Sequence, residues 1–175
     1  FFGLTDDPRM TIIHEDARMY INRAGSKQYD AVLMDAFGSL FSVPHHLTTV
    51  EAVRELSRIL KDDGVVIFNL GSAITGPSSG FLQAEMRTYM EVFPQVCLFK
   101  VRQDYSDDRL QNLMIVASKA ESPSTITSAD AQVADLLTRI YPDRVPLERD
   151  ILTDDLAPVE YYNSIAQKVY LTNPR

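Results

Sequence analysis

Two short apolar runs, joined by a segment with helical periodicity, restrict the fold of this chain more than any other feature. The first run spans residues 29–34 (YDAVLM) and the second spans residues 65–70 (VVIFNL). Runs of this length with few polar residues are typical of strands that are buried on both faces. Between them, apolar residues recur at helical spacing over residues 50–60, after Thr48 and Glu51 at the spacing of a capping box. The pattern predicts a strand–helix–strand unit with parallel strands.

The same alternation of strand and helix signals continues on both sides of this unit. Further strands are predicted at residues 10–14, 96–101 and 113–118, and further helices at residues 17–24, 81–93 and 128–141. The last two strands flank a short acidic connection, which favours an antiparallel hairpin. We therefore predict an α/β fold with an open, mostly parallel sheet and a C-terminal antiparallel hairpin.

The composition argues against several classes of protein. The net charge is -7 and the pI is about 4.9, whereas a nucleic-acid-binding surface needs a basic stripe. The single cysteine, Cys97, rules out a disulfide framework within one chain. No apolar stretch approaches the roughly 20 residues of a membrane span, and no signal peptide is visible. We therefore expect a cytoplasmic protein that binds no nucleic acid and makes no membrane contact through this segment.

Two aspartates follow predicted strands at the point where each strand ends. Asp35 follows residues 29–34, and Asp16 follows residues 10–14. Ligands bind outside the carboxyl ends of the strands in open α/β sheets, so both acids could hydrogen-bond a ligand's amines, hydroxyls or adenine amino group. Each has a structural alternative, because Asp35 also suits the cap of the following turn and Asp16 the N-cap of the helix that begins at Ala17.

Three segments carry a resemblance to a known family: residues 14–21 (HEDARMYI), residues 29–70 and residues 152–160 (LTDDLAPVE). They resemble the spermidine synthase-like family, the polyamine aminopropyltransferases built on the S-adenosylmethionine methyltransferase fold. The resemblance implies a Rossmann-like, methyltransferase-type sheet and a transferase whose co-substrate is decarboxylated S-adenosylmethionine or S-adenosylmethionine. The other substrate would be a small amine or a polyamine, no metal is implied, and a homodimer is left open.

The resemblance also implies roles for particular residues. Asp16 and Ala17 match the turn that receives the adenine of the cofactor. Asp35, with Ala36 beside it in the cofactor site, matches the first acid of the family's D-x-x-D loop, near the transferred group and the amine. A carboxylate suits this position, because an attacking amine must be neutral and its proton needs an acceptor. Asp35 is therefore the predicted catalytic residue.

Three further residues are predicted to line the amine substrate: His46, Asp154 and Asp155. His46 has a structural alternative, and the two aspartates equally suit a turn. A metal site is not expected, because the adjacent His45 and His46 are poorly placed to ligate one ion and no third ligand has suitable spacing.

The chain departs from the family in two ways. Gly38 stands where the second acid of D-x-x-D, the general base, would be. The glycine-rich turn and the ribose-binding acid expected upstream of Phe1 are absent from the sequence. We therefore expect N-terminal strands to be missing from the sheet and residues 1–120 to form the C-terminal part of a Rossmann-like domain. Residues 121–175 are expected to form a helix and tail packed on the same domain.

These departures leave three functions open. The first is transfer of an aminopropyl group from decarboxylated S-adenosylmethionine to an amine, and the second is methyl transfer from S-adenosylmethionine. The third is a non-catalytic relative that acts as a binding or assembly module, which Gly38 favours. A nicotinamide-dependent oxidoreductase shares the fold class, but nothing in the sequence resembles a hydride-transfer site.

Overall fold

The computed structural model describes residues 7–38, 42–120 and 127–172, which contain a four-stranded sheet. The strands are β1 (Tyr29–Met34), β2 (Leu60–Ser72), β3 (Gln95–Lys100) and β4 (Gln111–Ser118). The α-helices are α1 (Ala17–Arg23), α2 (Val50–Ile59), α3 (Gly80–Met90), α4 (Ala131–Leu137) and α5 (Val159–Thr172). Short 3₁₀ turns occupy His45–Leu47 and Pro77–Ser79. None of the helices in these ranges has the length and apolar character needed to cross a membrane.

Three of the four strands point in the same direction. The strand order is β1-β2-β4-β3. β1 pairs with β2 in parallel, with Met34 opposite Phe68, whereas β4 lies antiparallel to both β2 and β3. Only β4 is therefore reversed. The predicted α/β class and the C-terminal antiparallel hairpin are confirmed, whereas β1 and β2 form the one parallel pair among the three strand pairs of the described sheet. The carboxyl ends of β1 and β2 consequently lie at one edge of the sheet, where ligands bind in folds of this class.

A large part of the core lies between the sheet and helix α3, and helices α1 and α2 add buried residues to the same core. Tyr89 of α3 is fully buried, and its ring stacks on that of Phe68 in β2 with centroids 5.9 Å apart. The Tyr89 hydroxyl donates to the sulfur of Met34 at 3.3 Å. Near the start of α3, the backbone N–H of Leu82 donates to the hydroxyl of Ser72, the last residue of β2, at 3.4 Å. Helix α3 therefore runs back along β2 from the carboxyl end of the strand.

Strand β1 lies at the edge of the described sheet and is more exposed than its sequence predicts. Most of its residues are exposed or half-buried, and Leu33 is 73 % exposed. The prediction that residues 29–34 are buried on both faces is therefore wrong for this structure. An apolar run shows that a strand is suited to burial, but it does not show which elements cover it. Within the described ranges, β2 is the one strand that pairs with β1.

Residues 10–14 do not form a strand, contrary to the prediction. Ile12 and Ile13 are 58 % and 48 % exposed. A strand exists only where its backbone groups pair with those of a neighbour, and no strand in the described part of the chain pairs with this segment. Asp16 therefore does not follow a strand and instead lies at the start of helix α1.

Helix α2 begins one residue later than the capping-box pattern predicts. The cap is Thr49, whose hydroxyl accepts from the backbone N–H of Ala52 at 3.3 Å, and not Thr48. Glu51 is consequently not at the third helical position, and its Oε2 accepts from the backbone N–H of Asp154 at 3.0 Å. The shift places the start of α2 against the C-terminal LTDD segment.

The two C-terminal helices differ from the sequence prediction. Helix α4 lies inside the predicted range 128–141 but is shorter, and α5 forms where the sequence predicts only a proline-punctuated tail. The buried residues of α5 are Val159, Asn163 and Ala166. Their spacing is that of one helical face, so the periodicity of α5 was present in the sequence.

Candidate active site

Asp35 lies at the carboxyl end of β1, and its side chain is exposed. On the neighbouring strand β2, Nδ2 of Asn69 donates to Oδ1 of Asp35 at 2.8 Å. The register explains this contact, because Met34 lies opposite Phe68 and the next residues therefore face each other. Among the described residues, no cation forms an ion pair with Asp35. Its carboxylate therefore adds an uncompensated negative charge to this edge of the sheet.

Asp16 is the N-cap of α1, as its structural alternative predicts. Its Oδ1 accepts from the backbone N–H of Met19 at 3.0 Å. This hydrogen bond is the main reason why the pKa of Asp16 lies below its ordinary value, because it stabilises the charged form. The other oxygen, Oδ2, lies 3.2 Å from Nε2 of His46. One carboxylate thus starts the helix and also contacts the histidine turn.

Arg18 joins the start of α1 to two distant parts of the chain. Its side chain is only 15 % exposed. Nη1 donates to the carbonyl of His46 at 2.8 Å and to the hydroxyl of Thr49 at 3.1 Å. Nη2 donates to Oδ2 of Asp154 at 3.0 Å. One guanidinium therefore holds together the turn at His45–Leu47, the start of α2 and the segment that contains Asp154. It can do so because a guanidinium carries several N–H donors in one plane.

Asp154 and Asp155 lie in a turn over the start of α2. The turn is closed by backbone hydrogen bonds between Thr153 and Leu156, both at 3.0 Å. Asp154 accepts from the hydroxyl of Thr49 at 2.6 Å in addition to its ion pair with the guanidinium. Asp155 is exposed and forms no ion pair with any described residue. Because a cation already balances Asp154, Asp155 is the aspartate of this pair with an uncompensated charge.

The predicted site residues fall into two groups. One hydrogen-bonded group contains Asp16, His46 and Asp154. The other contains Asp35 and the half-buried Ala36, which packs against the core. Ala17 is the exposed first residue of α1 and Asp155 is exposed in its turn. In the ranges that the structure describes, no three His, Cys, Asp or Glu side chains are arranged so that they could hold a metal ion.

Three residues of these groups were not predicted from the sequence: Arg18, Thr49 and Asn69. Arg18 comes two residues after Asp16, so its position near the site is visible in the sequence, but its partners are not. Asn69 is the polar residue near the end of the run VVIFNL. A polar side chain at that point of a buried strand is itself a signal, because this is where parallel strands present groups to a ligand.

Comparison of the sequence with known proteins gives two informative relatives. No family model matches the chain. A polyamine aminopropyltransferase of Pyrobaculum calidifontis is 35% identical over 80 residues, which are 43% of this chain and 27% of that protein. An N-terminal histidine N-methyltransferase of Emericella nidulans is 35% identical over 94 residues, which are 51% of this chain and 16% of that protein. The chain therefore spans less than a third of the length of either relative.

Solved structures resemble the fold over most of this chain. A probable spermidine synthase from Corynebacterium glutamicum matches with a TM-score of 0.63 at 22% identity, over 95% of this chain and 55% of that one. The human methyltransferase-like protein 13 in complex with SAH matches with a TM-score of 0.54 at 19% identity, over 79% of this chain and 62% of that one. At these identities the similarity establishes the fold.

The fold and these similarities place the chain among the α/β proteins with a methyltransferase-type sheet, in which β4 is reversed between β2 and β3. Within this class the chain resembles a polyamine aminopropyltransferase in sequence and a probable spermidine synthase in fold, in agreement with the resemblance noted in its sequence. The polyamine aminopropyltransferase and the histidine N-methyltransferase named above differ in the group that they transfer, so the class alone does not choose between aminopropyl and methyl transfer.

Proposed function

We propose that this chain forms part of a spermidine synthase-like transferase that moves an aminopropyl group from decarboxylated S-adenosylmethionine to an amine. The observation that carries the proposal is the position of Asp35. It is an exposed carboxylate at the carboxyl end of a strand in a methyltransferase-type sheet, and no described cation balances its charge. The similarity to the polyamine aminopropyltransferase of Pyrobaculum calidifontis supports the same function.

The reaction moves one positive charge from sulfur to nitrogen, and Asp35 would stabilise this charge on both atoms. The co-substrate carries a sulfonium, and the amine nitrogen becomes positive as its lone pair bonds to the carbon next to sulfur and the carbon–sulfur bond breaks. A pair of opposite charges about 4 Å apart is worth roughly 4 kcal/mol near a protein surface. Asp35 would therefore attract both reactants and accept the proton that the new ammonium group loses.

The second group of residues would hold the nucleoside and the amine. Asp16 and Ala17, at the start of α1, would contact the adenine, since the side chain of Asp16 is 49 % exposed even though one oxygen caps the helix and the other contacts His46. His46, Asp154 and Asp155 would form a wall for the amine. In that wall Asp155 would supply the charge, because Asp154 is held by a guanidinium.

Methyl transfer from S-adenosylmethionine is a second candidate, and two observations favour it. The N-methyltransferase of Emericella nidulans aligns with a larger part of this chain than the aminopropyltransferase does. In addition, Gly38 supplies no side chain where the aminopropyltransferases have their second acid, and its backbone N–H donates to the carbonyl of Ser42 at 2.7 Å. Methyl transfer to a less basic nitrogen depends less on a side chain that acts as general base, the role of that second acid.

Mass spectrometry of the amine after incubation with the protein distinguishes these candidates. Linear diamines are supplied with decarboxylated S-adenosylmethionine or with S-adenosylmethionine. A product that carries an aminopropyl group supports the proposal, whereas a methylated product supports the second candidate. Absence of both products and of co-substrate binding contradicts both and favours a binding module.

The matched variants for this assay are D35N and D63N, which remove the same charge. Asp63 is exposed near the amino end of β2, whereas Asp35 follows the carboxyl end of β1. We expect D35N to lose far more in turnover than in affinity for the co-substrate, which should fall about tenfold, and D63N to behave like the unmodified protein. Equal turnover of D35N and D63N would remove Asp35 from the mechanism.

A further inference from the structure

A cavity of about 420 Å³ lies beside β3, the outer strand on the other side of the described sheet from β1. Its lining includes three consecutive residues of that strand: Val96, Cys97 and Leu98. Successive side chains of a strand point to opposite faces of the sheet, so a cavity that contacts all three lies alongside the strand, where the backbone can be reached. Ligand sites commonly enclose about 300–1,000 Å³, and this cavity falls within that range.

A segment that follows α4 covers only the carboxyl-terminal half of this strand edge. The backbone N–H of Tyr141 donates to the carbonyl of Leu98 at 2.7 Å, and the N–H of Lys100 donates to the carbonyl of Arg139 at 3.2 Å. Leu98 and Lys100 therefore turn their backbone groups away from β4. Because this direction alternates along an antiparallel strand, the N–H and C=O of Val96 also point to the outer edge.

Beyond Tyr141 the chain leaves the strand. Of the described residues, those at 142–147 form no backbone hydrogen bond with β3. Within the described ranges, nothing bonds to the N–H of Leu98 or to the N–H and C=O of Val96. Two donors and one acceptor therefore remain beside the cavity. A strand edge with unpaired backbone groups is a template for an added strand.

The rest of the lining is mainly apolar and carries no net charge. Met86 and Met90 of α3 contribute to it, as does Leu147 from the segment after α4, and methionine side chains adapt to apolar groups of different shapes. Asp143 and Arg144 supply one charge of each sign, and neither forms an ion pair with a described residue. In a chain with a net charge of -7, this balanced lining favours an uncharged apolar group.

We propose that the cavity binds an extended, uncharged apolar segment of another protein, which adds to the free edge of β3 as a further strand. In either direction of the added strand, one of its N–H groups donates to the carbonyl of Val96. The main-chain hydrogen bonds supply affinity, and the cavity selects the apolar side chain that enters it. Only a short segment fits, because Tyr141 already occupies the edge beyond Leu98. The site lies at the opposite outer strand from Asp35 and is separate from the proposed transferase function.

Protection of Cys97 from N-ethylmaleimide tests this inference, because Cys97 is the single cysteine of the chain and lines the cavity. The probe is the peptide acetyl-Thr-Leu-Thr-Leu-Thr-amide. Two matched versions carry N-methyl groups either on the threonine nitrogens or on the leucine nitrogens, so each version blocks one edge of the extended peptide. We expect the unmodified peptide to slow the reaction in a saturable manner. Only one of the methylated versions should lose affinity, by about tenfold, because a single edge of the peptide faces β3.

A variant of the cavity wall provides a second test. L147N should weaken protection by the peptide about fivefold, because it removes apolar contact area. The matched control is L171N, since Leu171 is exposed on α5 and does not line this cavity. Amide shifts of Val96 and Leu98 in NMR spectra report binding independently of the thiol reaction. They should move with the unmodified peptide in L171N and much less in L147N.

Three outcomes would overturn the inference. Equal binding of the two methylated peptides and the unmodified one would show that the cavity takes up apolar groups without strand pairing. Unchanged Cys97 reactivity together with unchanged amide shifts would show that the edge of β3 binds no such segment. Protection of Cys97 that increases with protein concentration in the absence of peptide would identify a second copy of this chain as the occupant. None of these results bears on the transferase assay, which uses the other side of the sheet.

Discussion

Replacement of Arg18 by methionine is expected to loosen the junction between α1, the histidine turn and the LTDD segment. The guanidinium donates to His46, Thr49 and Asp154 at 2.8, 3.1 and 3.0 Å. Methionine retains an apolar stem of similar length, so R18M removes these donors and little packing. The effect therefore measures the hydrogen bonds and the ion pair.

The expected loss in the free energy of unfolding is about 2 kcal/mol. A hydrogen bond to a charged group contributes about 1.5–3 kcal/mol when it is well buried, whereas an exposed ion pair contributes about 0–1 kcal/mol. The side chain of Arg18 is 15% exposed but that of Asp154 is 50% exposed. Solvent therefore screens the ion pair, and the total lies well below the sum of three buried interactions.

Urea denaturation followed by circular dichroism measures this loss. A double-mutant cycle with D154N should give a coupling energy of about 1 kcal/mol between the two side chains. R54M is the control, because Arg54 is exposed on α2 and its loss should cost less than about 0.5 kcal/mol. If R18M and R54M are equally stable, or if R18M and D154N are additive, the guanidinium does not join these segments.

Two further predictions concern packing and protonation elsewhere in the fold. G80A should destabilise the protein by about 1–3 kcal/mol in thermal unfolding, because the added Cβ would lie 2.8 Å from Cδ1 of Tyr162. The control G38A should be nearly neutral, because the nearest atom to its added Cβ would be 3.7 Å away. Equal effects of the two substitutions would contradict the close packing of Gly80 against Tyr162. The pKa of Tyr141 is raised to about 12 by burial and by its hydrogen bond to Asp107. D107N should lower the pKa of Tyr141 in an NMR titration of labelled tyrosines, and an unchanged pKa would show that burial and the charge of Asp143 raise it without Asp107.

The elements that the sequence predicts correctly are those whose signal is local. The runs at residues 29–34 and 65–70 and the helical periodicity between them form β1, α2 and β2, because apolar spacing decides which face each element buries. The strand predicted at residues 10–14 and the two-sided burial of β1 depend on which other elements lie beside them. That information is not contained in the segment itself, and both predictions are wrong.

The same distinction between local and long-range information applies to the residues of the candidate site. The position of Asp35 follows from one strand and its end, so the sequence predicts it. The partners of Arg18 lie 28, 31 and 136 residues away in the chain, and no local pattern connects them. The cavity beside β3 also depends on the packing of separate elements, since its walls come from α3, β3 and residues 140–147.

In the function proposed above, a carboxylate at the end of β1 recognises a positively charged sulfur compound. Calorimetry with decarboxylated S-adenosylmethionine and with methylthioadenosine tests this recognition, because the two nucleosides differ in whether the sulfur is charged. We predict that the unmodified protein and D63N bind the sulfonium more tightly than the neutral thioether, and that D35N loses about tenfold of this preference, or about 1.4 kcal/mol. Absence of binding by either nucleoside, or the same preference in D35N, would contradict the claim.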